Sequence, residues 1–279
     1  MRSTTPHAGP GGELTYPISF GILGSTVIRG HDGVDRQLPV KTSQVLALLL
    51  TSLGNVLPSV RIIRSLWGDT PPNSARSMIR DHVKKIRQTI EESEELTLVA
   101  THGGYRLNVN DSFVDARVFE SLAGQAREGV RSGDFIMAEE RLLKALALWR
   151  DVEALTDVRN IIELEGEAVR LEEWRLQCQQ DLIRCQLVTG RPEQAIPNLR
   201  MLTVQYPIRE RFWVLLMLAQ SALGRGPEAS ATYRQAQRVC VEENGMPPSA
   251  ELNLVHEGIL RGEPVEHMIQ VVCFAPPVR

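Results

Sequence analysis

The sequence predicts a mainly α chain, with a small mixed α+β unit at the N-terminal end followed by an all-α array of paired helices. Three observations predict it. Residues 73–91, NSARSMIRDHVKKIRQTIE, carry one apolar and one basic face at helical spacing and lead into a hairpin pattern. Between residues 115 and 263 the apolar patterns are helical and none is strand-like. Within that stretch a Gly-x4-Ala spacing recurs at Gly133, Gly190 and Gly224, and its second and third copies lie 34 residues apart.

The chain has 279 residues, enough for two ordinary domains, and is 43% hydrophobic and 23% charged, as globular proteins are. Its longest apolar run, Val45–Leu50, is far short of a membrane span. The start, MRSTTPHAGPGGE, lacks the apolar core of a secretory signal, and its Pro and Gly content predicts a disordered arm over 1–15. Cys178, Cys185, Cys240 and Cys273 form no CxxC and have no His at ligand spacing. They read as reduced packing thiols of a cytoplasmic chain, with no metal site and no cofactor. The net charge of −3 hides an asymmetry: residues 1–114 hold 12 Lys/Arg against 10 Asp/Glu, and the remainder holds 19 against 24. The positive charge is focused on one segment, which matters more for nucleic acid than the total does.

Element by element, 18–23 and 26–29 read as short strands around Gly24-Ser25, with a third at Gln37–Val40. Thr42 or Ser43 caps a first helix carrying Val45, Leu46, Leu48, Leu49 and Leu53, ended by Gly54-Asn55. Leu57-Pro58-Ser59 opens a second helix, Val60–Trp67, with Val60, Ile63, Leu66 and Trp67 turned inward. Gly68–Asn73 is a rigid connector. In the third helix Ile79, Val83, Ile86 and Ile90 form the packing face, with Arg76, Arg80, Lys84 and Arg87 as a basic stripe beside it. Lys85 shares the exposed side with Ser77 and Asp81. Glu91, Glu92, Glu94 and Glu95 mark where the helix would leave DNA. Thr97–Ala100, the turn His102–Gly104 and Tyr105–Val109 form a hairpin. A hairpin directly after a basic third helix is the wing of a winged helix-turn-helix.

In the second half, helices are expected at 115–131, 134–149, 163–188, 192–205, 209–223, 227–243 and 249–260. Each repeat Gly ends a helix, and Ala138, Ala195 or Ala229 lets the next one pack closely. This is the tetratricopeptide-like (TPR-like) logic, which builds a curved partner surface rather than a closed pocket. Trp67, Trp149, Trp174 and Trp213 fall in apolar patterns and are expected in the core. Glu172 and Glu173 read as solvated, and His82 and His102 as structural or solvated. The tail 264–279 is apolar enough to pack as a strand or dock in a groove.

Residues 18–110 resemble the OmpR-type winged helix, with VKKIR at 83–87 similar to its recognition-helix core and GGYRLNV at 103–109 similar to its wing. LWGDTPP at 66–72 is similar to a segment of the Streptomyces antibiotic regulatory protein (SARP) family. The second half resembles the bacterial transcriptional activator domain that follows the winged helix in that family, through AEERLLKALALWRD (138–151), YPIRERFWVLLMLAQSALGR (206–225), YRQAQRV (233–239) and NGMPPSAELNLVHEGIL (244–260). The resemblance implies boundaries of 1–15 for the arm, 16–112 for the DNA-binding domain, 113–263 for the activator domain and 264–279 for the tail. It implies a short member without ATP use, since no GxxxxGK[ST] is present, and without a phosphorylated receiver.

Phosphate contact needs cations or well-aimed N–H groups. The candidates are Arg76, Arg80, Lys84, Lys85 and Arg87, the first-helix N-terminus at Lys41 and Thr42, and Arg106 or Tyr105 in the wing. Arg87 also has Glu91 four residues on as a possible partner. Base readout falls to Ser77, Arg80, Asp81 and Lys84, with Asp81 either accepting from a base or pairing with Lys84 or Lys85. Relatives often carry uncharged residues where this chain has Arg80, Asp81 and His82, so no operator sequence transfers. By resemblance, Trp67, Asp69 and Thr70 are candidates for touching RNA polymerase; the alternative is a plain rigid turn.

These expectations combine as a transcription activator of an antibiotic cluster. Its partners are double-stranded promoter DNA near the −35 region, RNA polymerase holoenzyme (sigma factor and core subunits) and a head-to-tail second copy on direct repeats; its place is the cytoplasm, on the nucleoid, with no membrane. The alternative is a helical-repeat interaction module without specific DNA binding. No GxSxG, HExxH, P-loop or convergent carboxylate pair suggests an enzyme.

Overall fold

The computed structural model describes residues 7–8, 14–15, 18–90 and 96–274. Most of the expected arm, the acidic run 91–95 and residues 275–279 lie outside the described residues. Within the arm, β1 (His7–Ala8) pairs antiparallel with β2 (Leu14–Thr15). The chain divides into two compact units, residues 1–124 with 144–177, and residues 125–143 with 178–279.

The first unit begins with an antiparallel meander of β3 (Ser19–Gly21), β4 (Val27–Arg29) and β5 (Asp35–Arg36). The third strand was expected at 37–40. It ends earlier because Pro39, which has no N–H to give a ladder, is the N-cap of α1 (Val40–Thr51). Neither Thr42 nor Ser43 caps that helix. Both are buried in its first turn, and their N–H groups donate to the Pro39 carbonyl at 2.7 and 3.0 Å.

Next come β6 (Leu57–Pro58), α2 (Ser59–Trp67), α3 (Ala75–Ile90), β7 (Leu96–Thr101) and β8 (Gly104–Val109). The wing is a three-stranded sheet in the order β6-β8-β7 rather than a plain hairpin. Leu57-Pro58, expected to open α2, is its third strand. Proline fits there because a strand edge does not require its missing N–H. Gly104 allows the closeness of this pairing: a Cβ at that position would lie 2.3 Å from the Leu57 carbonyl oxygen. The inward phase of α2 is set by Ile62 and Leu66, four residues apart and both buried, which leaves Val60 65% exposed instead of inward.

A 3-10 turn at Asp111–Phe113 leads to α4 (Asp115–Ser132), α5 (Phe135–Leu146) and α6 (Ile162–Val188). Within the first unit, residues 150–160 run along the open end of the N-terminal meander. The N–H groups of Arg150, Leu155 and Thr156 donate to the carbonyls of Leu23, Ile22 and Gly24. Asp157 accepts from the Thr26 N–H at 2.8 Å, and Gln44 of α1 donates to Asn160 at 2.8 Å. Asp115 accepts from the N–H groups of Ile22 and Leu23, and from Arg150 at 2.6 Å. Arg159 is the hub of this segment, bridging Glu153, Glu165 and Glu172. Glu172 is therefore a paired carboxylate that also accepts from the Ala154 N–H, not a solvated one as its charged neighbourhood suggested.

In the second unit α7 (Pro192–Gln205), α8 (Glu210–Ala222), α9 (Gly226–Asn244), α10 (Ala250–Arg261) and α11 (Val265–Phe274) pack around α8. Every residue from Phe212 to Gln220 is buried, the signature of a helix enclosed by its neighbours. Gly133, Gly190 and Gly224 all adopt positive φ, +81°, +73° and +70°, the backbone turn that lets one helix stop and the next begin. Ala138, Ala195 and Ala229 are each 0% exposed, so the small residue of every repeat copy is buried. The described part of the tail, Val265–Phe274, is the helix α11, not a strand. Arg211 donates to the Val272 carbonyl at 2.8 Å and Arg184 to that of Cys273, satisfying carbonyls that a helix end leaves open.

Of the four tryptophans only Trp213 is fully buried; Trp67, Trp149 and Trp174 are half-buried, and each has a cation (Lys41, Arg175 and Arg170) over its ring. All four cysteines are free and buried, and burial pushes the Cys178 and Cys185 thiols up to about 12. Among the described residues no helix is long and apolar enough to cross a membrane.

Candidate nucleic-acid interface

The third helix divides into two faces. Ala75, Ile79, Val83, Ile86 and Ile90 are buried against α1, α2 and β7. Arg76, Ser77, Arg80, Asp81, Lys84, Lys85 and Gln88 are exposed. At 1.5 Å per residue, Arg76, Arg80 and Lys84 stand about 6 Å apart along the axis. None of them makes an ion pair with a described residue, and Asp81 makes none with Lys84 or Lys85. Exposed cations without an ion pair are available to phosphates, and a major groove about 12 Å wide accepts a helix.

The remaining candidates do not share this face. Thr42 is 0% exposed and its Oγ1 lies 3.0 Å from Nδ1 of His82. Its N–H is held by the Pro39 carbonyl as well, so the structure does not bring Thr42 onto the exposed face of α3. Lys41 is half-buried; its Nζ donates to the Leu66 carbonyl at 2.8 Å, beside the Trp67 ring, and so closes the C-terminal end of α2. Arg87 is half-buried, and its Nε donates to the Leu98 carbonyl at 2.9 Å, joining α3 to the wing strand β7; Glu91, the partner the sequence offered, lies outside the described residues.

In the wing, Leu98 and Leu107 pair across the strands and face the core. Tyr105, two residues from Leu107, shares that inner face by the alternation of a strand, whereas Arg106 lies opposite half-exposed Val99 on the outer face. Arg106 is thus the better placed of the two, although its Nε is sealed and unpartnered. His102 is exposed at the tip.

The connector between α2 and α3 leaves Asp69 and Thr70 exposed, while Trp67 is half-buried under Lys41. Two cations escaped the sequence reading: Arg61 and Arg64 are exposed on α2. The signal was their position one before and two after Ile62, out of phase with the buried pair Ile62 and Leu66. Recognising it required the correct inward phase of α2. Among the described residues no group of three or more His, Cys, Asp or Glu is set to hold a metal ion.

Residues 33–107 match the family described as transcriptional regulatory protein, C terminal, and residues 114–260 match the bacterial transcriptional activator domain. Regulatory protein DnrI of Streptomyces peucetius is 32% identical over 256 residues, covering 88% of this chain and 93% of that protein. Regulatory protein AfsR of Streptomyces griseus is 33% identical over 88% of this chain, which spans 25% of that longer protein. Transcriptional regulator RedD of Streptomyces coelicolor is 33% identical over 81% of this chain and 65% of its own length. A structure of Mycobacterium tuberculosis EmbR in complex with a low affinity phosphopeptide superposes with a TM-score of 0.83 at 26% identity, over 92% of this chain and 69% of that one.

Proposed function

The chain belongs to the SARP family of transcriptional regulators, and from that premise we propose that it activates a secondary-metabolite cluster by gripping direct repeats near a promoter's −35 element. The observation that supports this reading best is the stripe of unpaired cations on α3, turned outward by a fully packed opposite face.

Arg76, Lys84 and Lys85 are assigned to phosphates, which supply affinity and its salt dependence. Arg80, Ser77 and Asp81 are assigned to base edges in the major groove; an Arg on guanine contributes about 1–3 kcal/mol of discrimination. Arg106 reaches the backbone from the wing. Asp69 and Thr70 of the exposed connector meet RNA polymerase, with Trp67 anchoring the loop. The winged helix and the activator domain follow the boundaries 16–112 and 113–263, and copies associate head-to-tail on the repeats. The protein works in the cytoplasm on the nucleoid, recruits polymerase to a weak promoter, and makes or breaks no bond.

A mobility-shift titration with the chain's own upstream promoters, against random duplex, tests the reading. Promoter-selective binding that weakens with salt supports it. Equal affinity for random DNA removes the regulatory target and favours the interaction-module alternative.

A further inference from the structure

His82 sits on α3 between exposed Asp81 and buried Val83. Its Nδ1 is 3.0 Å from the hydroxyl of Thr42, a fully buried residue of α1. Its Nε2 is sealed from solvent and has no partner. Three charges act on the ring: Lys85 and Asp81 from α3, and Lys41 from α1; α2 and β7 present none to it among the described residues.

A neutral imidazole suits this seat. With its proton on Nδ1 the ring donates to the Thr42 hydroxyl, and Nε2 is left as a bare acceptor. An imidazolium carries N–H on both nitrogens. Nε2–H would then be a sealed, charged donor with nothing to accept it and with two cations nearby, a more costly state than a missing neutral bond. The ring must leave its seat to reach water. This bond is the polar contact by which α3 is registered on α1 beside their apolar packing, so its loss lets the helix shift on that support.

We propose that His82 is a positioning residue for DNA binding: neutral, it seats α3 on α1 through Thr42; protonated, it releases that helix, so that acid weakens promoter binding. The inference rests on α3 being the helix that reads DNA. Burial, then Lys85, holds the imidazole below its ordinary value, so the seat is filled at neutral pH and the loss falls on the acid side of the usual histidine range.

The test is fluorescence anisotropy of the whole chain on its promoter duplex at about pH 8 and about pH 5, at fixed ionic strength, for wild type and His82→Gln. Gln keeps a side-chain donor for Thr42 and has no proton to gain. On acidification wild type loses affinity several-fold relative to His82→Gln, within the roughly tenfold per pH unit that one proton permits. The imidazole is also titrated by NMR in the free chain, its signal assigned by absence from His82→Gln, and it titrates below the ordinary histidine value. Equal pH slopes for the two proteins, or an imidazole that titrates at or above the ordinary value, overturn the inference. Failure of wild type to bind any duplex at both pH values overturns the proposed function and this inference with it; duplex binding with equal slopes overturns this inference alone.

Discussion

The guanidinium of Arg87 donates from Nε to the carbonyl of Leu98 at 2.9 Å, so the third helix and the wing are joined by a side chain that sequence pattern places on the DNA face. The bond separates two kinds of cation on one helix: those spent inside the protein and those left for a ligand.

Arg87→Ala is therefore expected to act on stability. It removes a charged hydrogen bond, a loss of about 1.5–3 kcal/mol, and frees the wing strand. Urea unfolding should show this loss, while the salt slope of DNA binding keeps its wild-type value. A slope reduced by a full ion without a change in stability would return Arg87 to the phosphate contacts.

Arg76→Ala and Lys84→Ala should do the reverse. Each is exposed, without an ion pair to a described residue, and distant from the packed face. Each should leave unfolding unchanged and lower the slope of log affinity against log salt by about 0.9, the counterion released per phosphate. Anisotropy across a salt series measures it.

Arg159 ties residues 150–160 together through Glu153, Glu165 and Glu172, and its side chain is only 22% exposed. Arg159→Ala leaves Glu172 without its cation and frees the segment that completes the N-terminal meander. The expected loss is about 2–3 kcal/mol in urea unfolding. Arg159→Lys should recover only part of it, because an ammonium cannot make the two-pronged bond to Glu165.

Acid should destabilise the chain in a window that two histidines define. His82 and His256, the latter stacked on Tyr233 at 3.8 Å, are both held below the ordinary value of 6.5, chiefly by burial. The unfolded chain then binds protons that the folded chain refuses. Stability is full above the unfolded value, and falls as pH drops below it until the folded values are reached. Thermal unfolding across this range should show the fall, and His256→Gln should flatten part of it.

Gly190→Ala tests the helix-ending backbone of the repeat. With φ at +73° and open space where a Cβ would go, the cost is conformational alone, about 1 kcal/mol. Gly124→Ala inside α4, with similar space and no positive φ, should stabilise by a few tenths to about 1 kcal/mol.

The helical half was legible because its punctuation is local. Gly190 and Pro192 fix the start of α7, and a Gly-x4-Ala spacing marks each joint. The packed face of α3 was legible for the same reason, since Ile79, Val83, Ile86 and Ile90 can lie on one side only of a helix. What escaped depends on partners far along the chain. Leu57-Pro58 is a strand only because β8 lies beside it, and Glu172 is paired only because Arg159 turns back to it. Thr42 is a core residue only because α3 covers it. The α11 segment, Val265–Phe274, carries a mixed apolar run that suits strand or helix equally, and its packing on α8 and α10 decides between them.

The outward face of α3 is proposed to read promoter DNA. Arg80→Ala, measured by anisotropy against the chain's own promoter and a random duplex at two salt concentrations, tests it most directly. The expected result is a loss of about 1–3 kcal/mol on the promoter, a smaller loss on random DNA, and unchanged unfolding. Equal affinity of wild type and Arg80→Ala for the promoter would contradict it.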